Sequence, residues 1–225
     1  MMDKKILASM LIVAVASMLL GAGTVAYFSD TETSKGNTFT VDPGPDLKIK
    51  DSGKYWSDGI GPEWTLSDMK PGNSVYGSVD LKNVGTTADH LEITCNYTID
   101  DPPGPESDTQ ENTPADDMAK QMIITMCVYG SDGWWINCLA GTYTDDPPKP
   151  PGYTADDWII NDIDSDGKIT LYDLKKDPLD NLPLPDGWET RFDMTLKFSE
   201  DAGNEFQGDT LNVTMIFTLN QHPSQ

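Results

Sequence analysis

Four long stretches of the chain alternate between apolar and polar residues with a period of two, which is typical of β-strands with one buried face. They are residues 74–84, 91–99, 190–198 and 211–219. In the second stretch, Leu91, Ile93 and Cys95 share one face, while Glu92 and Thr94 take the other. Shorter apolar runs predict further strands at 47–50, 123–129 and 134–139.

The segments between these strands are rich in proline, glycine and aspartate, and they contain little helical pattern. The sequence DPPGP ends one strand at 101–105, and DDPPKPPG at 145–152 forms a stiff linker. Residues 116–122 suggest a short helix, and ITLYDLKK at 169–176 can start another. Many short strands with such turns predict an all-β fold, a jelly-roll β-sandwich with short helical and loop insertions.

The N-terminal residues have the layout of an export signal. Lys4 and Lys5 precede an apolar stretch at 6–20, and the small residues Thr24-Val25-Ala26 follow. This pattern predicts cleavage by a signal peptidase between Ala26 and Tyr27, with 1–26 as the signal peptide. The alternative is a permanent membrane anchor, but the apolar stretch is short for a span of about 20 residues.

A polar segment follows the cleavage site and returns to alternation at 37–41. Pro43-Gly44-Pro45 separates it from the next strand. Because a β-sandwich has sheet edges that can pair with another chain, we expect residues 27–45 to be a strand donated to a neighbouring subunit. The apolar residues that would fill pockets there are Tyr27, Phe28, Phe39 and Val41. Residues 46–225 then form the domain that receives it.

The formal net charge of −22 limits the partners of the chain. Such a surface repels nucleic acid and anionic lipid, and it suits cation binding, high salt or a hydrated extracellular surface. Solubility alone is the plainer explanation. We expect no nucleic-acid partner and no stable membrane span once the signal is removed.

A calcium-type loop occupies part of a polar insert at about 153–185. The sequence DIDSDGKITLYD at 162–173 places acidic residues at loop positions 1, 3, 5 and 12, with Gly167 at position 6 for the sharp turn. The predicted Ca²⁺ ligands are Asp162, Asp164, Asp166, the Lys168 carbonyl, Thr170 and Asp173. An aspartate at position 12 resembles the calcium loop of dockerin modules more than a sensor EF-hand. The alternative is a solvated acidic turn.

Cysteines and glycosylation motifs suggest an exported protein. Of Cys95, Cys127 and Cys138, the last two flank a possible hairpin and are the preferred disulfide pair. Asn96 and Asn212 begin N-x-T sequons on predicted outward faces.

Catalytic motifs of the familiar hydrolase and nucleotide-binding types do not occur in the sequence. His90 and His222 are the only histidines, and no H-E-x-x-H is present. We interpret both as surface residues and expect no enzymatic activity. The six tryptophans could line a carbohydrate site, although packing is the commoner role of tryptophan in a sandwich.

Three motifs resemble the TasA/camelysin family. They are GTVAYFSDTETSKGNTFTVDPGPDLKI at the N-terminus, MKPGNSVYGSVDLKNVGTTADHLEI in the centre, and LNVTMIFTLNQ near the end. The resemblance implies a jelly-roll subunit of extracellular fibres, in biofilm matrix or archaeal bundling pili, in which the mature N-terminus complements the sheet of the next subunit. It also implies cleavage before Tyr27-Phe28 by a dedicated signal peptidase. Camelysin is described as a metalloprotease, yet no matching catalytic motif is present here.

The leading hypothesis is therefore a secreted, self-assembling filament subunit that polymerises with identical subunits and binds Ca²⁺ in its insert. The alternative is a monomeric calcium-dependent cell-surface or carbohydrate-binding module. A secreted metalloprotease rests on the family name alone.

Overall fold

A computed structural model describes most of the chain after residue 44, together with one short N-terminal strand. The described ranges are 29–33, 45–51, 55–61, 63–64, 69–86, 88–100, 113–150, 152–206 and 209–223. The predicted signal peptide and most of the predicted donor segment, including Ala26, Tyr27, Phe28, Phe39 and Val41, lie outside them.

The described residues form ten strands and four short helical segments. The strands are β1 Ser29–Thr33, β2 Leu47–Lys50, β3 Ser74–Asn83, β4 His90–Asp100, β5 Met122–Ser131, β6 Trp134–Asn137, β7 Thr142–Thr144, β8 Leu179–Pro183, β9 Glu189–Phe198 and β10 Thr210–Asn220. The α-helices are α1 Ala115–Lys120 and α2 Leu171–Lys176, and the 3₁₀ turns are Ala155–Trp158 and Asn204–Phe206.

Two antiparallel sheets make up the fold. The four-stranded sheet has the order β1-β10-β4-β8, and the six-stranded sheet has the order β2-β3-β9-β5-β6-β7. Without the outer strands β2 and β7, the second order is β3-β9-β5-β6, and the two sets together have the strand order of a jelly roll. The predicted all-β jelly-roll sandwich is therefore confirmed, and β1 occupies the place of its first strand.

Alternation within the strands produces the core. On β9, Phe192, Met194 and Leu196 are buried, whereas the intervening residues are at least partly exposed. Phe192 meets Phe217 of β10 edge to face at 5.8 Å between ring centres, which joins the two sheets. Apolar burial of this kind supplies most of the stability of such a sandwich.

Trp64 reaches into the sandwich from the segment before β3. Its Nε1 donates a hydrogen bond to the Met194 carbonyl at 2.9 Å, and its ring packs on Gly77 of β3. A Cβ at residue 77 would lie 2.5 Å from the Trp64 ring, so only glycine allows this approach.

The insert is shorter than the sequence pattern predicts. Residues 179–183 form β8, which pairs with β4 and completes the four-stranded sheet, so the insert ends before Leu179. β8 has no alternation, since Leu179, Asn181, Leu182 and Pro183 are all buried. A short edge strand that includes proline carries a weak sequence signal.

Candidate metal centre and the open strand edge

Three of the predicted metal ligands come together in the loop that precedes α2. The carboxylate oxygens of Asp162, Asp164 and Asp166 lie within 4.8 Å of one another. Asp162 is half-buried and Asp166 is exposed, whereas the side chain of Asp164 is 22% exposed because it lies against Lys120. Hard oxygen ligands at this spacing suit Ca²⁺ rather than a soft transition metal.

Backbone hydrogen bonds hold the loop in its turn. Asp162 accepts from the backbone N–H of Asp166 at 3.2 Å and from that of Gly167 at 2.8 Å. Asp166 accepts from the backbone N–H of Lys168 at 2.8 Å. Gly167 has a φ of +84°, and a Cβ at this residue would meet no other atom within 4 Å. Backbone conformation, not lack of space, is therefore the reason for glycine here.

Asp173 and Thr170 were predicted as ligands, but their side chains form the N-terminal cap of α2 and are not part of the cluster of three aspartates. Thr170 is the N-cap of α2, and Asp173 accepts from both the backbone N–H and the hydroxyl of Thr170, at 2.8 and 2.7 Å. Its other oxygen accepts from the backbone N–H of Ile163 at 3.0 Å. Asp173 is fully buried, and these bonds account for its burial as a charged group.

A lysine from α1 supplies the main positive charge at the loop. Lys120 Nζ lies 2.9 Å from Asp164 Oδ2. This hydrogen bond lowers the pKa of Asp164 and raises the pKa of Lys120. The side chain of Lys168, whose carbonyl was the predicted ligand, lies 3.5 Å from Asp201.

The loop is tied to the sandwich at its C-terminal end. The backbone N–H of Ile124 on β5 donates to the Ile169 carbonyl at 2.7 Å. Leu171 and Leu174 of α2 are fully buried, and the Leu174 carbonyl accepts from the hydroxyl of Thr94 on β4. An ion bound in the loop would therefore act on residues that belong to the core.

The second feature is the outer edge of β10. β1 pairs with its last five residues, from Ser29 opposite Asn220 to Thr33 opposite Ile216. The first six residues of β10, 210–215, have no partner on that side within the described part of the chain.

A cavity lies beneath this open part of β10. Its volume is about 90 Å³. Its lining is mostly apolar and includes Leu211, Val213 and Met215 of β10, together with Met194 and Leu196 of the facing sheet.

The cysteines are three free, buried thiols in the structure. Cys127 and Cys138 continue the β5–β6 pairing, since the Cys138 N–H donates to the Cys127 carbonyl at 2.9 Å. Burial raises the pKa of the Cys127 thiol, and a hydrogen bond with Cys138 adds to the shift. The predicted disulfide is not formed here, but its two residues are neighbours, and the pairing stays a prediction.

The two sequons face each other on adjacent strands. Asn96 of β4 lies opposite Thr214 of β10, and Asn212 lies opposite Thr98. Both asparagines are exposed, as predicted from the alternation.

One interpretation from the sequence was wrong, because His90 is not a surface residue. Its side chain is about 3% exposed, and its Nε2 lies 3.0 Å from Asp89 Oδ1. His90 pairs with Asn220 at the end of β10, so it lies inside the four-stranded sheet. His222 is exposed, and both histidines line one cleft. Within the described residues, these histidines do not join any compact group of three possible metal ligands.

The chain is similar to a known protein family. The model described as camelysin metallo-endopeptidase matches residues 1–131, which is more than half of the chain. No curated protein matches the chain significantly. Among the described residues, no helix is long and apolar enough to cross a membrane.

Proposed function

Because the chain belongs to the camelysin metallo-endopeptidase family, the TasA/camelysin family that its motifs resemble, we propose that it is a secreted structural subunit of extracellular filaments. Subunits polymerise by donor-strand complementation. The N-terminal segment of one subunit takes the place of the first jelly-roll strand in the next.

The observation that carries this proposal is the incomplete pairing of β10. The five residues of β1 cover less than half of its eleven-residue edge. Unpaired edges of this length recruit further strands. The predicted donor segment 27–45 is long enough to cover the whole edge, since both strands rise by about 3.4 Å per residue.

Side-chain chemistry favours the same exchange. The sequence of β1, SDTET, brings no apolar residue to a sheet whose interior is apolar. Phe39 and Val41, further along the segment, are apolar and alternate with polar residues. The cavity of about 90 Å³ beneath residues 211–215 leaves room for an apolar side chain of a donated strand.

The in-chain pairing of β1 is then the resting arrangement of a monomer. A self-supplied strand protects the edge before assembly, and a longer donated strand with apolar side chains replaces it. Exchange conserves the backbone hydrogen bonds and adds apolar burial, at about 25 cal/mol per Å². This gain drives polymerisation.

Calcium and glycans have supporting roles in the proposal. Ca²⁺ binds Asp162, Asp164 and Asp166 and stiffens the connection between α1, α2 and β5. Glycans on Asn96 and Asn212 would coat the outer face of the four-stranded sheet. We propose no catalytic role. The metallo-endopeptidase activity that the family is named for is tested by incubating the secreted protein with casein and Zn²⁺ and measuring cleavage of the casein.

Export followed by electron microscopy tests the main proposal. The full-length precursor is expressed, recovered outside the cell and sequenced from its N-terminus, where Tyr27 is expected. Negative staining should show filaments. Removal of residues 27–41, with the signal retained, should leave no filaments, because the donor is gone.

The control variant replaces Ser29 to Thr33 with another polar sequence of equal length and leaves Phe39 and Val41 intact. It should still polymerise. Filaments that form unchanged without residues 27–41 would refute strand donation.

A further inference from the structure

We propose that the outer face of the six-stranded sheet binds a neutral polysaccharide, in a cleft that lies over a cross-strand row of Lys50, Asp80, Arg191, Gly130 and Trp135. This site is distinct from the calcium loop and from the edge of β10. Its ligand is a polymer of uncharged sugars.

Strand register sets the row. Lys50 of β2 lies opposite Asp80 of β3, and Asp80 lies opposite Arg191 of β9. Arg191 lies opposite Gly130 of β5, which lies opposite Trp135 of β6. Residues directly opposite one another in a sheet point to the same face, so five adjacent strands contribute to one line across it.

Gly130 has no side chain, whereas its two neighbours in the row, Arg191 and Trp135, have long ones. The glycine therefore leaves a gap between them. A Cβ at residue 130 would lie 2.9 Å from a ring carbon of Trp135, so the indole folds over this position. Trp135 is nevertheless 36% exposed as a residue. It offers an aromatic surface at one end of the cleft.

Charged side chains form the other end. Arg191 Nε donates to Asp80 Oδ1 at 2.8 Å, and Lys50 Nζ lies 3.7 Å from Asp80 Oδ2. The Lys50 ammonium also lies 4.2 Å from the centre of the Trp56 ring, which it covers. Trp56 does not line the cleft, and Trp135 is the aromatic residue that does so among the described residues. Arg191 is about half exposed, and the described contacts use only its Nε, which leaves its terminal N–H groups to donate hydrogen bonds to a ligand's hydroxyls.

The lining has the polarity that a neutral sugar requires. The cleft has a volume of about 380 Å³, and its charged lining residues are two cations, Lys50 and Arg191, and three anions, Asp80, Asp132 and Glu189. Sugar hydroxyls both donate and accept hydrogen bonds, and they can satisfy both kinds of group. The apolar C–H face of a pyranose ring packs on an indole.

The charges also argue against other partners. The chain has a formal net charge of −22, which disfavours a polyanion. An apolar peptide would leave the ionised groups of the cleft without compensation. The row lies in the sheet that does not contain β10, so pairing at the β10 edge leaves it accessible.

The test measures retention of the secreted protein by polysaccharides. Native gels are cast with hydroxyethyl cellulose, xylan, glucomannan or laminarin, and pull-downs use insoluble cellulose and chitin. Alginate and a polyproline peptide represent the other partner classes. We expect at least one neutral polymer to bind. Trp135→Ala should weaken that binding at least tenfold, because the stacking surface is lost.

Matched variants separate the cleft from the rest of the surface. Trp188→Ala removes another exposed indole that does not line the cleft, and it should bind like the wild type. Arg191→Gln should weaken binding, whereas Lys197→Gln, on the same strand and face, should not. Circular dichroism checks that each variant is folded. Binding of alginate or polyproline alone, no binding of any neutral polymer, or equal binding by Trp135→Ala and Trp188→Ala would overturn the proposal.

Discussion

Lys120 Nζ lies 2.9 Å from Asp164 Oδ2, so a residue of α1 places its positive charge on the central aspartate of the acidic loop. The same ammonium lies 4.5 Å from the centre of the Tyr172 ring in α2. One side chain thus links both helices to the loop. A lysine in this position competes with any cation that binds the three aspartates.

Replacing Lys120 should therefore raise the affinity for Ca²⁺. We expect Lys120→Met to bind Ca²⁺ roughly two- to fivefold more tightly at low salt, the range of a partly exposed ion pair. Isothermal titration calorimetry measures the affinity. Lys176→Met is the control, because Lys176 also lies over the Tyr172 ring but is paired with Asp116 instead. Weaker binding by Lys120→Met would show that Lys120 supports the site.

The site itself is tested by removing one aspartate. Asp164→Ala should abolish the calorimetric heat of Ca²⁺ binding, whereas Asp156→Ala, an exposed aspartate in the 3₁₀ turn before the loop, should leave it intact. In the wild type, Ca²⁺ at 100 times its Kd should raise the free energy of unfolding by about 2.7 kcal/mol. If the wild type gives no heat either, the loop is a solvated acidic turn that does not bind Ca²⁺.

Sequence patterns were sufficient to predict the strands that have one buried face and one exposed face. Residues 190–198 alternate strictly because one face of β9 meets the core and the other meets solvent. β8 is buried along most of its length and includes a proline, so it lacks that signal. β1 is wholly polar, and only its pairing with β10 makes it a strand.

Local spacing likewise predicted part of the site. Asp162, Asp164 and Asp166 meet because they are two residues apart in one tight turn. The contribution of Lys120 depends on packing between α1 and the loop, across 44 positions of sequence, and no local motif contains it. The burial of His90 has no local signal for a similar reason, since it follows from pairing with Asn220 at the far end of the chain.

A cross-link can distinguish a self-supplied strand from a donated one. Thr31 lies opposite Thr218 in the β1–β10 pairing. In a Thr31→Cys/Thr218→Cys protein, mild oxidation of monomers should therefore give a disulfide within one chain. Oxidised filaments should instead give a ladder of covalent oligomers on non-reducing gels. Thr31→Cys alone is the control. The native thiols should not interfere, because all three are buried. Oxidised filaments that run as single chains would contradict donation in this register.

The neighbouring thiols of Cys127 and Cys138 should form a disulfide in the exported protein. Mass spectrometry should find the two cysteines linked in one peptide pair and Cys95 free. Because the bond closes a short loop, Cys138→Ser should lower the free energy of unfolding by about 2–3 kcal/mol under oxidising conditions.

Cys95 should remain a free thiol. Burial raises the pKa of the Cys95 thiol to about 12, so this cysteine should resist alkylation until the chain unfolds. Linkage of Cys95 to either partner would overturn the pairing.

His90 should make the fold sensitive to mild acid. Burial lowers the pKa of His90, against the opposing effects of Asp89 and Asn181, while His222 adds to the lowering. An unfolded histidine titrates near 6.5, so below that pH the unfolded chain binds a proton that the folded chain resists. The stability contributed by neutral His90 is therefore complete above about pH 6.5 and is lost as the pH falls towards its folded pKa.

Urea unfolding between pH 7.5 and 5 measures this effect. The free energy of unfolding should fall less steeply with pH for His90→Gln than for the wild type or His222→Gln. If the free energy of unfolding depends on pH in the same way in all three proteins, protonation of His90 does not destabilise the fold.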